Sequence, residues 1–152
     1  MRKSMPIVLS LVLVCFLSSL SDAEKPNLPP EKLRELATHV VTGEVTAVFA
    51  REPERVGRYD RTYYVAEVKV ATCEKGESIK PESLVYVRYW RQAWAGPGPV
   101  APGTSGHRGL PEQGSKMRIY LARNAYDGFT RDNTDGGLNV IGANGFEVLD
   151  KD

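Results

Sequence analysis

Apolar and polar residues alternate with a period of two along most of the chain between Val41 and Leu121, and turn residues interrupt that alternation at short intervals. A helix buries side chains at a spacing of 3.6, so this pattern commits the segment to strands with one face inward. Val41, Gly43, Val45, Ala47 and Phe49 share one face of the first predicted strand, with Thr42, Glu44 and Thr46 opposite. Pro53 and Gly57 break it. A second strand starts near Asp60, carries Tyr64, Ala66, Val68 and Val70 on one face, and ends before Gly76 and Pro81. Leu84 to Arg91 is the third, rich in β-branched and aromatic residues. Met117, Ile119 and Leu121 give the fourth. The dipeptides Asp127-Gly128, Asp135-Gly136 and Asn144-Gly145 are strong tight-turn signals. They bracket two short final strands, Leu138 to Ile141 and Phe146 to Leu149. Ahead of all these, Leu33, Leu36, Ala37 and Val40 follow helical spacing, which predicts a short helix from about Pro30 to Thr38.

The N-terminus sets the compartment. Arg2 and Lys3 precede an apolar run from Ile7 to Leu20, and Ser21-Asp22-Ala23 offers small residues at a cleavage site. Residues 1–23 read as a secretory signal peptide. The run is shorter than the ~20 apolar residues of a membrane-spanning helix, so no stable membrane anchor is expected after cleavage. The expected location is secreted or periplasmic. Removing Arg2, Lys3 and Asp22 from the 20 basic and 19 acidic residues leaves 18 of each, a neutral chain. A neutral chain lacks the positive field that phosphate backbones attract, which argues against nucleic acid as a partner. Cys15 lies in the leader, without the small residue before it that lipid attachment wants. Cys73 is then the one remaining cysteine, so no internal disulfide forms. It reads as a half-buried thiol at a strand end.

Residues 24–152 fit one domain. The expected fold is all-β and mainly antiparallel, a small five- to six-stranded barrel with one short N-terminal helix. The segment 91–115 stands apart: ten of its 25 residues are Gly or Pro. Connections that long are usually functional or disordered.

Four segments in order carry a family resemblance: Ala37-Thr38-His39-Val40-Val41-Thr42-Gly43-Glu44-Val45, then Tyr64-Val65-Ala66-Glu67-Val68 closing at Lys75-Gly76, then Leu84-Val85-Tyr86-Val87, then Gly114 followed by Ile119-Tyr120-Leu121. Together, over residues 37–123, they resemble the netrin-like branch of the oligonucleotide/oligosaccharide-binding (OB) barrels, the branch of the tissue inhibitors of metalloproteinases. The resemblance implies an OB-like barrel entered through a short helix. Inhibitors of that family chelate the protease zinc with a mature N-terminal cysteine. This chain, once cleaved, would begin Glu24-Lys25-Pro26, and the family disulfides have no cysteines to form them. The resemblance therefore carries over a fold and no functional residue.

No catalytic set assembles from the sequence. Gly103-Thr104-Ser105-Gly106-His107 approaches a nucleophile elbow but has His107 where the last glycine belongs, and no strand and helix flank it. Two histidines, His39 and His107, fall short of a zinc site. Asp127, Asp132, Asn133 and Asp135 crowd one turn region as a weak calcium candidate, but Arg131 occupies the first ligand position of the EF-hand register, and a solvated turn explains them. No cofactor is implied, and the chain reads as a non-enzyme. Glu67, His107, Arg108 and Asp127 are the ionisable residues an enzyme would have to bring together.

The binding candidates are Arg88, Trp90, Arg91 and Trp94 at the start of the long segment, with His107 and Arg108 returning from its far side. Arg and Trp dominate interface hot spots, and arginine pairs with carboxylates through two parallel bonds. The competing reading places Trp90 in the core and has Trp94 pin the loop by packing. Pro99-Val100-Ala101-Pro102 matches a proline-helix ligand motif whose readers are mostly intracellular. The expectation is a secreted binding module for a protein or carbohydrate partner. Its rivals are a structural envelope component, which would show an exposed strand edge or apolar patch and self-association, and after it a protease inhibitor or hydrolase.

Overall fold

A computed structural model describes residues 27–100, 106–123 and 136–149. The leader 1–23, Ser105 and the turn residues Asp127, Asp132 and Asp135 lie outside them. The described chain runs α1 (Pro30–Leu36), β1 (His39–Ala50), β2 (Glu54–Val56), β3 (Tyr59–Lys75), β4 (Leu84–Trp94), β5 (Lys116–Arg123), β6 (Leu138–Val140) and β7 (Phe146–Val148). It is β-rich with one short helix, as expected, and no described helix is long and apolar enough to cross a membrane.

The strands form a ring-like, mostly antiparallel sheet in the order β1-β3-β4-β6-β5, and β5 pairs back onto β1. β4 and β6 run parallel, while β2 and β7 are short additions to β3 and β5. Inward side chains from the strands meet in one core that includes Val45, Val68, Val87, Tyr89, Ile119 and Val140. Burying each such aliphatic side chain contributes about 1.5–3 kcal/mol. A smaller cluster seats the helix, with Leu33 and Ala37 packed on Val40 and Tyr120.

Pro29 and Pro30 open α1 without a side-chain cap, since proline at the first position gives up an amide that has no partner anyway. The helix stops at Leu36, two residues earlier than its spacing implies, because Ala37 is already extended and the Thr38 amide bonds Leu121 O at 2.8 Å. Bulges in β1 at Val40/Val41, Thr42/Gly43 and Val45/Ala47 break the period of two. Val40 and Val41 are consequently both buried, and Phe49, expected on the inner face, is half exposed. Gly43 is required here: a Cβ would stand 2.4 Å from the Lys69 carbonyl oxygen of β3.

The outer surface is tied by charge. Arg118 on β5 donates to Glu74 of β3 at 2.9 Å and to both carboxylate oxygens of Glu147 on β7 at 3.0 Å. Burial alone would raise the Glu74 pKa, but the bonds from Arg118 and Arg34 outweigh it and hold the carboxyl below its usual range. His39 sits at the helix-to-strand junction, with Nδ1 2.9 Å from Thr38 Oγ1 and Nε2 3.1 Å from Ser78 Oγ. Burial, then the nearby Arg123 charge, lower its pKa. Cys73 is half-buried near the end of β3 and its thiol points at the Lys75 carbonyl, 3.1 Å away.

Candidate functional site

The segment read as one long excursion has two parts. β4 continues through Trp94, three residues past the predicted end at Arg91. It does so because Tyr59–Thr62 of β3 extend alongside and pair with Arg91–Trp94. Trp94 then closes the turn that follows: its ring meets Tyr59 edge-on at 5.1 Å, and Nε1 donates to Gly98 O at 3.2 Å. The chain returns at Gly106, which bridges to Arg91.

The return is anchored in the core. His107 is 1 % exposed, the most buried of the six binding candidates. Its amide donates to Trp90 O at 3.1 Å. Its Nε2 lies 2.9 Å from Val140 O. A proton on Nε2 satisfies that carbonyl, and Nδ1 lies 3.2 Å from the Trp90 amide and 3.0 Å from Trp90 O, so both ring nitrogens are engaged by backbone. The imidazole stands edge-on to Tyr89, Trp90 and Phe146. The Arg108 amide follows with a 2.7 Å bond to Ala143 O, and Gly114 bonds Val45 O at 2.8 Å. One buried side chain and three backbone bonds thus fix residues 106–114 against β4, β1 and the 141–145 turn.

Trp90 is also buried, but on the outer face of β4. Gly106 covers it, and the Arg61 guanidinium lies 4.8 Å from the ring centroid. Arg61 is itself held by Gln92 Oε1 at 3.0 Å. Among the described residues, the indole Nε1 and Asn139 Oδ1 are buried without hydrogen-bond partners. Trp90 and His107 therefore fasten the segment down, and His107 leaves only an edge open to the surface.

Arg91 and Arg108 remain at the surface. They line one open concavity of about 520 Å³ together with the edge of His107, and Leu110, Pro111 and Glu112 complete its wall. Arg91 makes no ion pair among the described residues. The concavity exists because β4 outruns the core at Arg91 while the anchored 107–112 strip passes beside it. Of the six sequence candidates, the structure brings Arg91, His107 and Arg108 together. Trp94 packs on Tyr59 instead. Arg88 is half-buried beside Asn139 of β6 and does not line the concavity.

Other ionisable groups are separate. Glu67 lies on the outer face of β3, where Thr46 Oγ1 donates to Oε1 at 2.6 Å and Tyr86 OH to Oε2 at 2.8 Å. Those bonds lower its pKa. Glu67 and His107 therefore share no cleft. A smaller depression of about 230 Å³ lies between β1, β3 and β5. Its charges are partly spent on each other, since Lys69 pairs with Glu82 at 2.8 Å. Among the described residues no three His, Cys, Asp or Glu side chains group to hold a metal. Leu110, Pro111 and Glu112 were missed by sequence reading; the one available signal was their position after the His107-Arg108 pair. Compared with known proteins, the chain matches no family model, no curated protein and no solved structure.

Proposed function

We propose that this chain is an exported, non-catalytic binding module built on an OB-like barrel, and that its Arg91–Arg108 concavity receives an acidic side chain of a partner protein. The order β1-β3-β4-β6-β5 returning to β1, with the β4–β6 pair parallel, supports the barrel reading. With the short β2 and β7 set aside, that order corresponds to the five-stranded Greek-key ring of that class. The observation that carries the binding reading is the convergence of two surface arginines on one rigid concavity. A guanidinium offers a planar fork of donors that matches a carboxylate. Leu110 and Pro111 give the methylene stem of an aspartate or glutamate an apolar wall. The neutral composition outside the leader disfavours a densely charged phosphate backbone.

The test is a titration of a fluorescent tetra-aspartate peptide, followed by anisotropy. Arg91→Ala should weaken binding roughly tenfold, the size expected for loss of one charge-assisted contact of about 1.5–3 kcal/mol. Arg108→Ala should act in the same direction. Raising the salt should weaken the wild type more than either variant. Equal affinity for wild type and both variants overturns the reading. Tighter binding of a uronic-acid oligosaccharide than of the peptide would move the ligand class to carbohydrate.

A further inference from the structure

β1 leaves half of one edge open. It pairs with β5 from His39 to Glu44 and goes no further. Val45 is still covered, with its amide on Ser115 O at 2.9 Å and its carbonyl taking the Gly114 amide. Beyond it, Thr46 to Ala50 have β3 on one side and no strand on the other among the described residues. The Arg51 amide points at β3, bonding Tyr63 O at 2.9 Å. Strand alternation then turns the amides and carbonyls of Val48 and Ala50 toward the open side.

Strand edges are normally blunted by a charge, a proline or a covering loop. From Val45 to Ala50 this edge reads Val-Thr-Ala-Val-Phe-Ala, with no charge, proline or glycine. Val48 and Phe49 are 37 % and 54 % exposed and lie on opposite faces of the strand. A strand added here gains main-chain bonds along the edge and apolar contact on both faces. Such an edge is also its own complement. An antiparallel pair across a two-fold axis at Val48 sets Phe49 against Ala47 and Ala50 against Thr46 of the second copy. The register closes with those pairs, and none of residues 46–50 is charged, so no like charges oppose each other in it.

We infer that the open edge of β1 is a self-association surface, through which two copies of this chain pair antiparallel over residues 46–50. The surface is separate from the arginine concavity, and its test does not depend on that reading. Sedimentation velocity of the purified protein, from low to high micromolar, should show a monomer–dimer equilibrium. Val48→Lys puts a charge on the edge, and Ala50→Pro removes an outward N–H. Each should raise the dimer dissociation constant at least roughly tenfold while the circular dichroism spectrum stays that of the wild type. Two variants guard against one failing to fold. A wild type that stays monomeric throughout overturns the inference. So does a dimer that neither variant weakens. A monomer that instead binds an added apolar strand peptide overturns it in favour of a foreign strand.

Discussion

Tyr89→Ala is expected to destabilise the fold by about 4 kcal/mol, within the usual 3–5 kcal/mol for deleting a large buried aromatic. Tyr89 is 1 % exposed and sits where the ring-like sheet meets the anchored return segment. Its ring stacks on Tyr64 at 5.0 Å with planes 9° apart, and meets Phe146 edge-on at 5.0 Å. It also faces His107 at 6.2 Å. Truncation removes contacts to β3, to β7 and to the 106–114 strip in one step, and backbone on every side keeps the cavity from collapsing. Burial raises the phenol pKa well above its usual value, so the ring stays neutral throughout the working range. Chemical denaturation should register the loss as a lower midpoint. Tyr86→Ala is the control, three residues back on the same strand and 54 % exposed. It gives up one surface bond to Glu67 and should cost about 1 kcal/mol or less.

Gly106→Ala should be nearly as damaging, at about 3 kcal/mol. Gly106 has φ +81°, a region that costs any other residue about 1–2 kcal/mol. The added Cβ would also stand 2.7 Å from Trp90 O and from two atoms of the Trp90 ring. Neither can yield, since one is strand backbone and the other a buried indole. Overpacking of this kind adds roughly 1–3 kcal/mol. The return segment would lift, and with it the Arg91–Gly106 bridge and the His107 anchor. The control is Gly57→Ala in the β2–β3 turn, with φ +61° and nothing within 4 Å of the new methyl. It pays the backbone strain alone. A thermal melt should therefore separate the two, with Gly106→Ala lower by several degrees. Equal melting temperatures would show that the return segment does not lie against Trp90.

The strand ladder was largely legible because its signal is local. β3, β4, β5, β6 and β7 all fall where the alternation and the turn dipeptides place them, within a few residues at each end. β2 was not read, because Pro53 and Gly57 look like breakers. They flank a three-residue strand, Glu54–Val56, with Gly57 at positive φ in the hairpin turn. The face of β1 was half right, since three bulges are invisible in a pattern of hydrophobicity. Trp90 does share a face with Tyr86 and Arg88, as the alternation says. What buries it is the Gly106-His107 return, a contact between residues distant in sequence. The same contact turns His107 from a ligand candidate into an anchor. Only the surface arginines of the six candidates kept access to solvent in one concavity, because β4 outruns the core there. No sequence spacing encodes that, and the same holds for the open edge of β1, where pairing with β5 simply stops.

The central claim is that a rigid concavity with Arg91 and Arg108 on its wall takes a carboxylate. The most direct measurement is an NMR titration of the isotope-labelled protein with the tetra-aspartate peptide, read residue by residue. Saturable shifts should appear at the side-chain Nε–H groups of Arg91 and Arg108 and at the amides of Leu110 and Glu112, with Glu67 and Tyr86 on the outer face of the sheet unmoved. Shifts centred on that outer face, or none that saturate around Arg91 and Arg108, would contradict it.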